Sequence, residues 1–300
     1  MKHVSFQDEI TRNKQRTVFL VVLVTSFLFF LIYFFTYLLA PSSMFVVLPI
    51  SSVFIILYVY SSYRYGDKVI LSSTKAVPPE GRDKQYLQDT VEGLSIAAGI
   101  PPPKIFVMNT DELNAYATGR NPENASVVVT TGLLKALNRQ ELEGVIAHEI
   151  SHIRNRDILL MTLIAVVVGL AAILSHIFLR SFLYGGFSGR SKDRNSGFEV
   201  ILIVVGFILA IIAPLAVRVI QFAISRRREY LADASGAALT RYPEGLASAL
   251  EKISKRNNRN IDVSEAVSHI FLDDPKHSAL DSIFSTHPPI EERIRILRSM

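Results

Sequence analysis

Residues 17–40 carry no charged side chain. A helix of that length runs about 36 Å, more than the roughly 30 Å hydrocarbon core of a bilayer. No other feature restricts the fold so strongly, because a stretch apolar on every side needs apolar surroundings on every side. The chain holds three more such runs. Residues 42–60 follow the first after the break Ala40-Pro41-Ser42, and residues 158–179 and about 198–217 form a later pair. The first run is too long and too aromatic for a cleaved signal peptide, and no small-residue cleavage site follows it. Overall, 49% of residues are hydrophobic and 20% charged. Those averages conceal a sharp segregation, which predicts four transmembrane helices. For the third and fourth runs a buried helical hairpin is the competing reading, since Arg218 closes a shorter apolar stretch.

A second feature concerns chemistry. His148-Glu149-Ile150-Ser151-His152 places two histidines four residues apart. On a helix they lie on one face, one turn from each other, where a single zinc ion can take both. Glu149 projects near the same place, positioned to accept a proton from water. This is the H-E-x-x-H arrangement. Asn138 and Glu141 form a capping-box start, and Leu142, Val145, Ile146, Ile150 and Ile153 recur at helical spacing. The motif is therefore expected on a rigid helix rather than on a loop.

Two histidines leave a zinc site incomplete, because catalytic zinc takes three protein ligands. Glu229 in Arg226-Arg227-Arg228-Glu229-Tyr230-Leu231-Ala232-Asp233 is the best third candidate, and Asp233 shares its helical face. Such a pair supplies a ligand and an acceptor for a ligand histidine's other N–H. A solvated charged helix is the plainer reading of the same residues. His269 and His277 are the alternative third ligands. His3 lies in a charged leader, and His176 sits inside an apolar run, where it faces another helix rather than a metal. With no cysteine in the chain, thiolate metal sites and disulfides are excluded.

The segments HEISH, REYLADASGA and THPPIEERI, in this order and in this membrane context, resemble the HtpX-type membrane zinc endopeptidases. These are gluzincins (two histidines and a glutamate on zinc) related to the CAAX prenyl proteases. The resemblance runs over nearly the whole chain. It implies one zinc per chain held by His148, His152 and Glu229, with Glu149 as general base and Asp233 orienting His148. It implies that Asn114, Ala115, Tyr116 and Ala117 line the cleft on an edge strand that pairs with the substrate backbone, Asn114 holding substrate near the scissile bond. It also implies that His287 and Arg293 face the zinc and stabilise the oxyanion. A turn before a strand, a capping histidine and a solvated arginine are the plainer readings of these last residues. The implied role is quality control, degrading misfolded or damaged membrane proteins at the plasma (inner) membrane of a prokaryote.

Charge sets the topology. Lys2, Arg12, Lys14 and Arg16 precede the first run, Arg64 and Lys68 follow the second, and the turn between carries neither Lys nor Arg. The positive-inside rule puts the N-terminus and residues 61–157 in the cytoplasm. If His152 and Glu229 share a metal, the chain between them crosses an even number of times. Arg180, Arg190, Lys192 and Arg194 then lie outside, against a rule that is only statistical. Four parts result. Residues 1–60 hold the leader and two transmembrane helices, and 61–157 the first catalytic part. Residues 158–225 hold the second transmembrane pair with its Gly- and Ser-rich loop, and 226–300 the second catalytic part.

His152 is about six residues from the third run, so the zinc is expected just above the headgroups. Substrates that emerge from the bilayer then suit the site best. A net charge of +5 suits an anionic leaflet, and no basic-aromatic interleaving points to nucleic acid. Nothing in the sequence specifies an oligomer. Residues 83–98 read as an amphipathic helix, and Lys104–Met108 and Ser126–Thr130 read as strands. The expected fold class is α+β, mostly helical, with a split zincin-like catalytic domain. Three rival functions share these features: an intramembrane zinc protease, a CAAX-type protease and a non-enzymatic membrane chaperone. Polar residues bracketing the motif, only four runs, and an intact Glu149 weigh against them in turn.

Overall fold

The computed structural model describes residues 41–165, 226–256, 263, 265–268, 270–273 and 288–300, with scattered positions between 11 and 33. The expected spans over 17–40 and 198–217 lie essentially outside these residues, as does most of 158–179. His176, His269, His277 and His287 also lie outside them.

Helix α1 (Met44–Ser73) begins where the second apolar run was expected, but continues thirteen residues past its end, through Arg64, Asp67 and Lys68. Hydrophobicity marks where a helix meets lipid, whereas the helix itself is held by its backbone bonds and extends into water without changing geometry. Phe45, Val46, Ile50, Val53, Phe54, Ile56 and Leu57 are exposed. Ser51 and Ser52 donate their hydroxyls to the Val47 and Leu48 carbonyls, so these polar groups stay satisfied without water. Among the described residues, this is the one helix long and apolar enough to cross a bilayer.

A three-stranded sheet follows helix α2 (Gly81–Ala98), which ends at Gly99 in the left-handed conformation. Strands β1 (Lys104–Met108), β2 (Ala115–Gly119) and β3 (Ala125–Thr130) stand in the order β1-β3-β2. β1 runs parallel to β3, and β2 runs antiparallel to it with Ala117 opposite Val127. Alternation sorts the side chains to two faces. Ala115, Ala117, Val127 and Val129 join the main core, with Leu87 and Val91 of α2. Tyr116 and Val128 point the other way, into a second cluster with Ile70, Met161 and Phe271.

After the short helix α3 (Thr131–Ala136) comes α4 (Arg139–Arg154), the centre of the main core. Its capping box forms: Glu141 N–H donates to Asn138 Oδ1 (3.0 Å), and Asn138 N–H donates to Glu141 Oε2 (2.8 Å). Lys252 also reaches Glu141 Oε2, at 2.7 Å. The helix stops at Asn155, Arg156 adopts a left-handed backbone (φ 60°), and residues 157–165 are helical again.

On the other side of α4 pack α5 (Arg226–Thr240) and α6 (Pro243–Arg256), followed by the single turn α7 (Glu265–Ser268) and the C-terminal α8 (Ile290–Leu297). Glycine lets these helices touch. A Cβ on Gly144 would sit 2.6 Å from the Leu246 nitrogen, and one on Gly236 would sit 3.0 Å from the His148 nitrogen. Among the described residues the architecture is mostly helical with one small sheet, and the main core joins residues from both sides of the later apolar pair.

Candidate active site

Helix α4 presents His148 and His152 one turn apart, and both are buried. Their rings meet edge to face with Nε2 atoms 3.2 Å apart. Glu229, from the first described turn of α5, brings Oε2 to 3.7 Å from His148 Nε2 and Oε1 to 3.6 Å from His152 Nε2. All three ligand atoms lie within 4.8 Å of one another. The close approach at Gly236 seats α5 against the His148 backbone and makes this convergence possible.

Each histidine has a carboxylate behind it. His152 Nδ1 lies 3.1 Å from Asp157 Oδ2 in a hydrogen bond, and His148 Nδ1 lies 2.9 Å from Asp233 Oδ1, at hydrogen-bonding distance but less well aligned. Both carboxylates favour a proton on Nδ1, which leaves a lone pair on each Nε2. Two lone pairs and a carboxylate then face one point inside the protein, an arrangement that a bound metal cation stabilises. Tetrahedral zinc with bonds of about 2.0–2.1 Å sets its ligand atoms roughly 3.3–3.4 Å apart. The observed 3.2, 3.6 and 3.7 Å, the last two to different oxygens of Glu229, come within about 0.4 Å of that requirement.

Electrostatics describe the same preference. Burial pushes the His152 imidazole down, but Glu229 and Asp157 outweigh it and raise it to about 9. For Asp233 burial acts upward, while Arg293 and His148 hold the carboxyl down at about 2. Glu149, between the two ligand histidines in sequence, is buried, and its carboxyl is raised by burial against the pull of His148 and His152. Such a group accepts a proton more readily than an exposed glutamate.

Arg293, from α8, is buried beside the three candidate ligands. Its Nε and Nη2 donate to Asp233 Oδ2 and Oδ1 at 2.8 and 2.7 Å, a bidentate pair sealed from solvent. Its Nη1 donates to the Leu272 carbonyl at 3.4 Å and lies 3.9 Å from Glu229 Oε2. The guanidinium thus braces Asp233 with two of its nitrogens and turns the third toward Glu229. The other expected oxyanion donor, His287, falls outside the described residues.

β2 is an edge strand, as expected for the Asn114 segment, but its free frontage is short. Asn114 is buried and clamps a neighbouring stretch. Its side-chain amide donates to the Asp273 carbonyl (2.6 Å), and its Oδ1 accepts from Asp273 N–H (3.2 Å). Leu272 N–H donates to the Ala115 carbonyl at 2.9 Å. At the other end, Thr162 Oγ1 accepts from Gly119 N–H and donates to the Gly119 carbonyl, each at 3.2 Å. Backbone alternation turns Ala117 to this same edge, where no hydrogen bond from another described residue reaches it. Tyr116 points away, its hydroxyl bonded to Thr74 at the end of α1 and its ring edge-on to Phe271.

Sequence reading missed Asp157, Thr162 and Leu272 as neighbours of the site. For Asp157 the one signal was the Asn155-Arg156 pair before it, polar residues where the helix pattern pauses.

Comparison with known proteins agrees with this geometry. The model of "Peptidase family M48" matches residues 81–300. The chain is 50% identical over 249 residues to a protein named "Protease HtpX homolog" from Caldanaerobacter subterraneus subsp. tengcongensis, covering 83% of each chain. It is 47% identical over 288 residues to another of that name from Thermoanaerobacter pseudethanolicus, covering 96% of this chain and 95% of the relative. The crystal structure of S. mikatae Ste24p shares the fold, with a TM-score of 0.52 at 23% identity, over 96% of this chain and 66% of that longer one. With the family model spanning residues 81–300 and a His-His-Glu cluster shaped for one metal ion, this chain belongs to peptidase family M48 and is a zinc metallopeptidase.

Proposed function

We propose that this enzyme is a multi-pass membrane endopeptidase that cuts misfolded or damaged membrane proteins at the cytoplasmic face of a bacterial inner membrane. The observation that carries the reading is the buried convergence of His148, His152 and Glu229 beside Glu149. These three residues hold the metal. Zinc, when bound, supplies Lewis-acid polarisation of the scissile carbonyl. Glu149 accepts a proton from the attacking water and hands it to the leaving amine. Asp233 orients His148, and Arg293 acts through Asp233 by fixing both of its oxygens. His287 and Arg293, whose Nη1 lies 3.9 Å from Glu229 Oε2, are the candidates for the oxyanion. Ala117 offers an N–H and a C=O on the edge of β2, enough for one rung of pairing with an extended peptide. Asn114 holds the rim of that edge through Asp273.

Four transmembrane helices and the division at residues 60, 157 and 225 belong to the same proposal. The exposed apolar surface of α1 and the core shared across the later apolar pair support it. So does the position of residues 157–165, which lead from the active-site helix into an apolar run.

The test compares wild type with Glu149→Gln, purified in detergent, for zinc content and cleavage of an unfolded membrane protein. Both are expected to hold one zinc, and the variant to lose about 10²–10⁴-fold in cleavage rate. Cleavage by the variant at the wild-type rate would overturn the mechanism.

A further inference from the structure

Asp157 stands five residues after His152, and in a continuous helix that spacing separates two side chains by about 140° around the axis. They nevertheless meet at 3.1 Å, with His152 and Asp157 both buried. The break after Asn155 brings them together. Arg156 takes a left-handed backbone that costs a non-glycine residue about 1–3 kcal/mol, and helix resumes at Asp157 itself. The strained residue is the one that turns the carboxylate back beneath the imidazole.

We propose that Asp157 is the positioning carboxylate of His152. It accepts the Nδ1–H, fixes the ring plane, and so keeps the Nε2 lone pair on the point shared with His148 Nε2 and Glu229. The two histidines thereby draw their orientation from opposite directions. Asp233 serves His148 from α5, braced by Arg293. Asp157 serves His152 from the first residue of the segment that enters the apolar run beginning at 158. That segment also holds the C-terminal end of β2 through Thr162. One short stretch of chain therefore positions a zinc ligand and the end of the strand edge together.

This inference rests on the reading of the site as a zinc centre. The experiment titrates zinc into metal-free full-length wild type, Asp157→Ala, Asp157→Asn and His152→Ala in detergent against a competing chelator, with circular dichroism to establish that each is folded. Asp157→Ala is expected to lose about 10- to 100-fold in zinc affinity. Asp157→Asn keeps an acceptor oxygen and is expected to recover most of that loss. The visible spectrum of the cobalt-substituted protein is expected to change in Asp157→Ala and to return toward wild type in Asp157→Asn. Undiminished zinc affinity in a folded Asp157→Ala would overturn the proposal, as would an Asn variant no better than Ala. Failure of wild type to bind zinc more tightly than His152→Ala would overturn the zinc reading instead.

Discussion

The Arg293–Asp233 pair shows how one side chain governs another at a distance. Arg293 is 1% exposed, and its charge is neutralised by a carboxylate equally buried. Arg293→Met strands that carboxylate, and breaking a buried pair from one side costs about 3–5 kcal/mol. Chemical unfolding in detergent should register this as a lowered midpoint, whereas an exposed pair such as Lys135–Asp111 should barely register. Protonation offers a second test at this scale. In metal-free protein the His152 value is raised from 6.5 to about 9. Its stabilisation is therefore complete below pH 6.5 and is lost as pH rises through 9. Thermal unfolding of chelator-treated protein should show stability falling across that window. Zinc should abolish the fall, because the metal occupies the lone pair that the proton would take. A flat profile for the metal-free protein would contradict the assigned surroundings of His152.

Among the elements, α4 was the most legible in the sequence. Its capping box, its apolar spacing and its two histidines all follow from local rules, and the helix begins after Asn138 as read. The strands too match their expected positions to within a residue. Less legible was the end of α4. Residues five apart diverge on a continuous helix, so in the sequence Asp157 is only one of the polar residues that bracket the motif, whereas the left-handed turn at Arg156 brings it back to His152. How closely the helices approach was equally hidden. Gly144 looks like a weak point inside a helix, yet it is where α6 touches α4. In Gly144→Ala the new methyl meets backbone that cannot rotate aside, so the helices must separate, at about 1–3 kcal/mol. Denaturant unfolding should show that loss rather than the small gain alanine brings to an exposed helix.

For the whole molecule, α1 joins an exposed apolar surface to the sheet, since Thr74 at its end bonds Tyr116 in β2. The absence of cysteine makes its orientation directly testable. Ser42→Cys, just before α1, and Ser72→Cys, in its last turn, stand at exposed positions. On intact cells a membrane-impermeant maleimide should label Ser42→Cys, and should reach Ser72→Cys only after permeabilisation. Labelling of both from one side would refute a spanning α1. By itself the sequence determined what depends on near neighbours: the apolar runs, the helical spacing of His148 with His152 and of Glu229 with Asp233, and the caps. Those properties are set by backbone periodicity and need no knowledge of the rest of the chain. Only the tertiary structure decided that Arg293 serves Asp233, that Asn114 clamps Asp273 and that Asp157 supports His152. A buried charge or amide must find its partner wherever packing places one, and that choice is made across the fold rather than along the sequence.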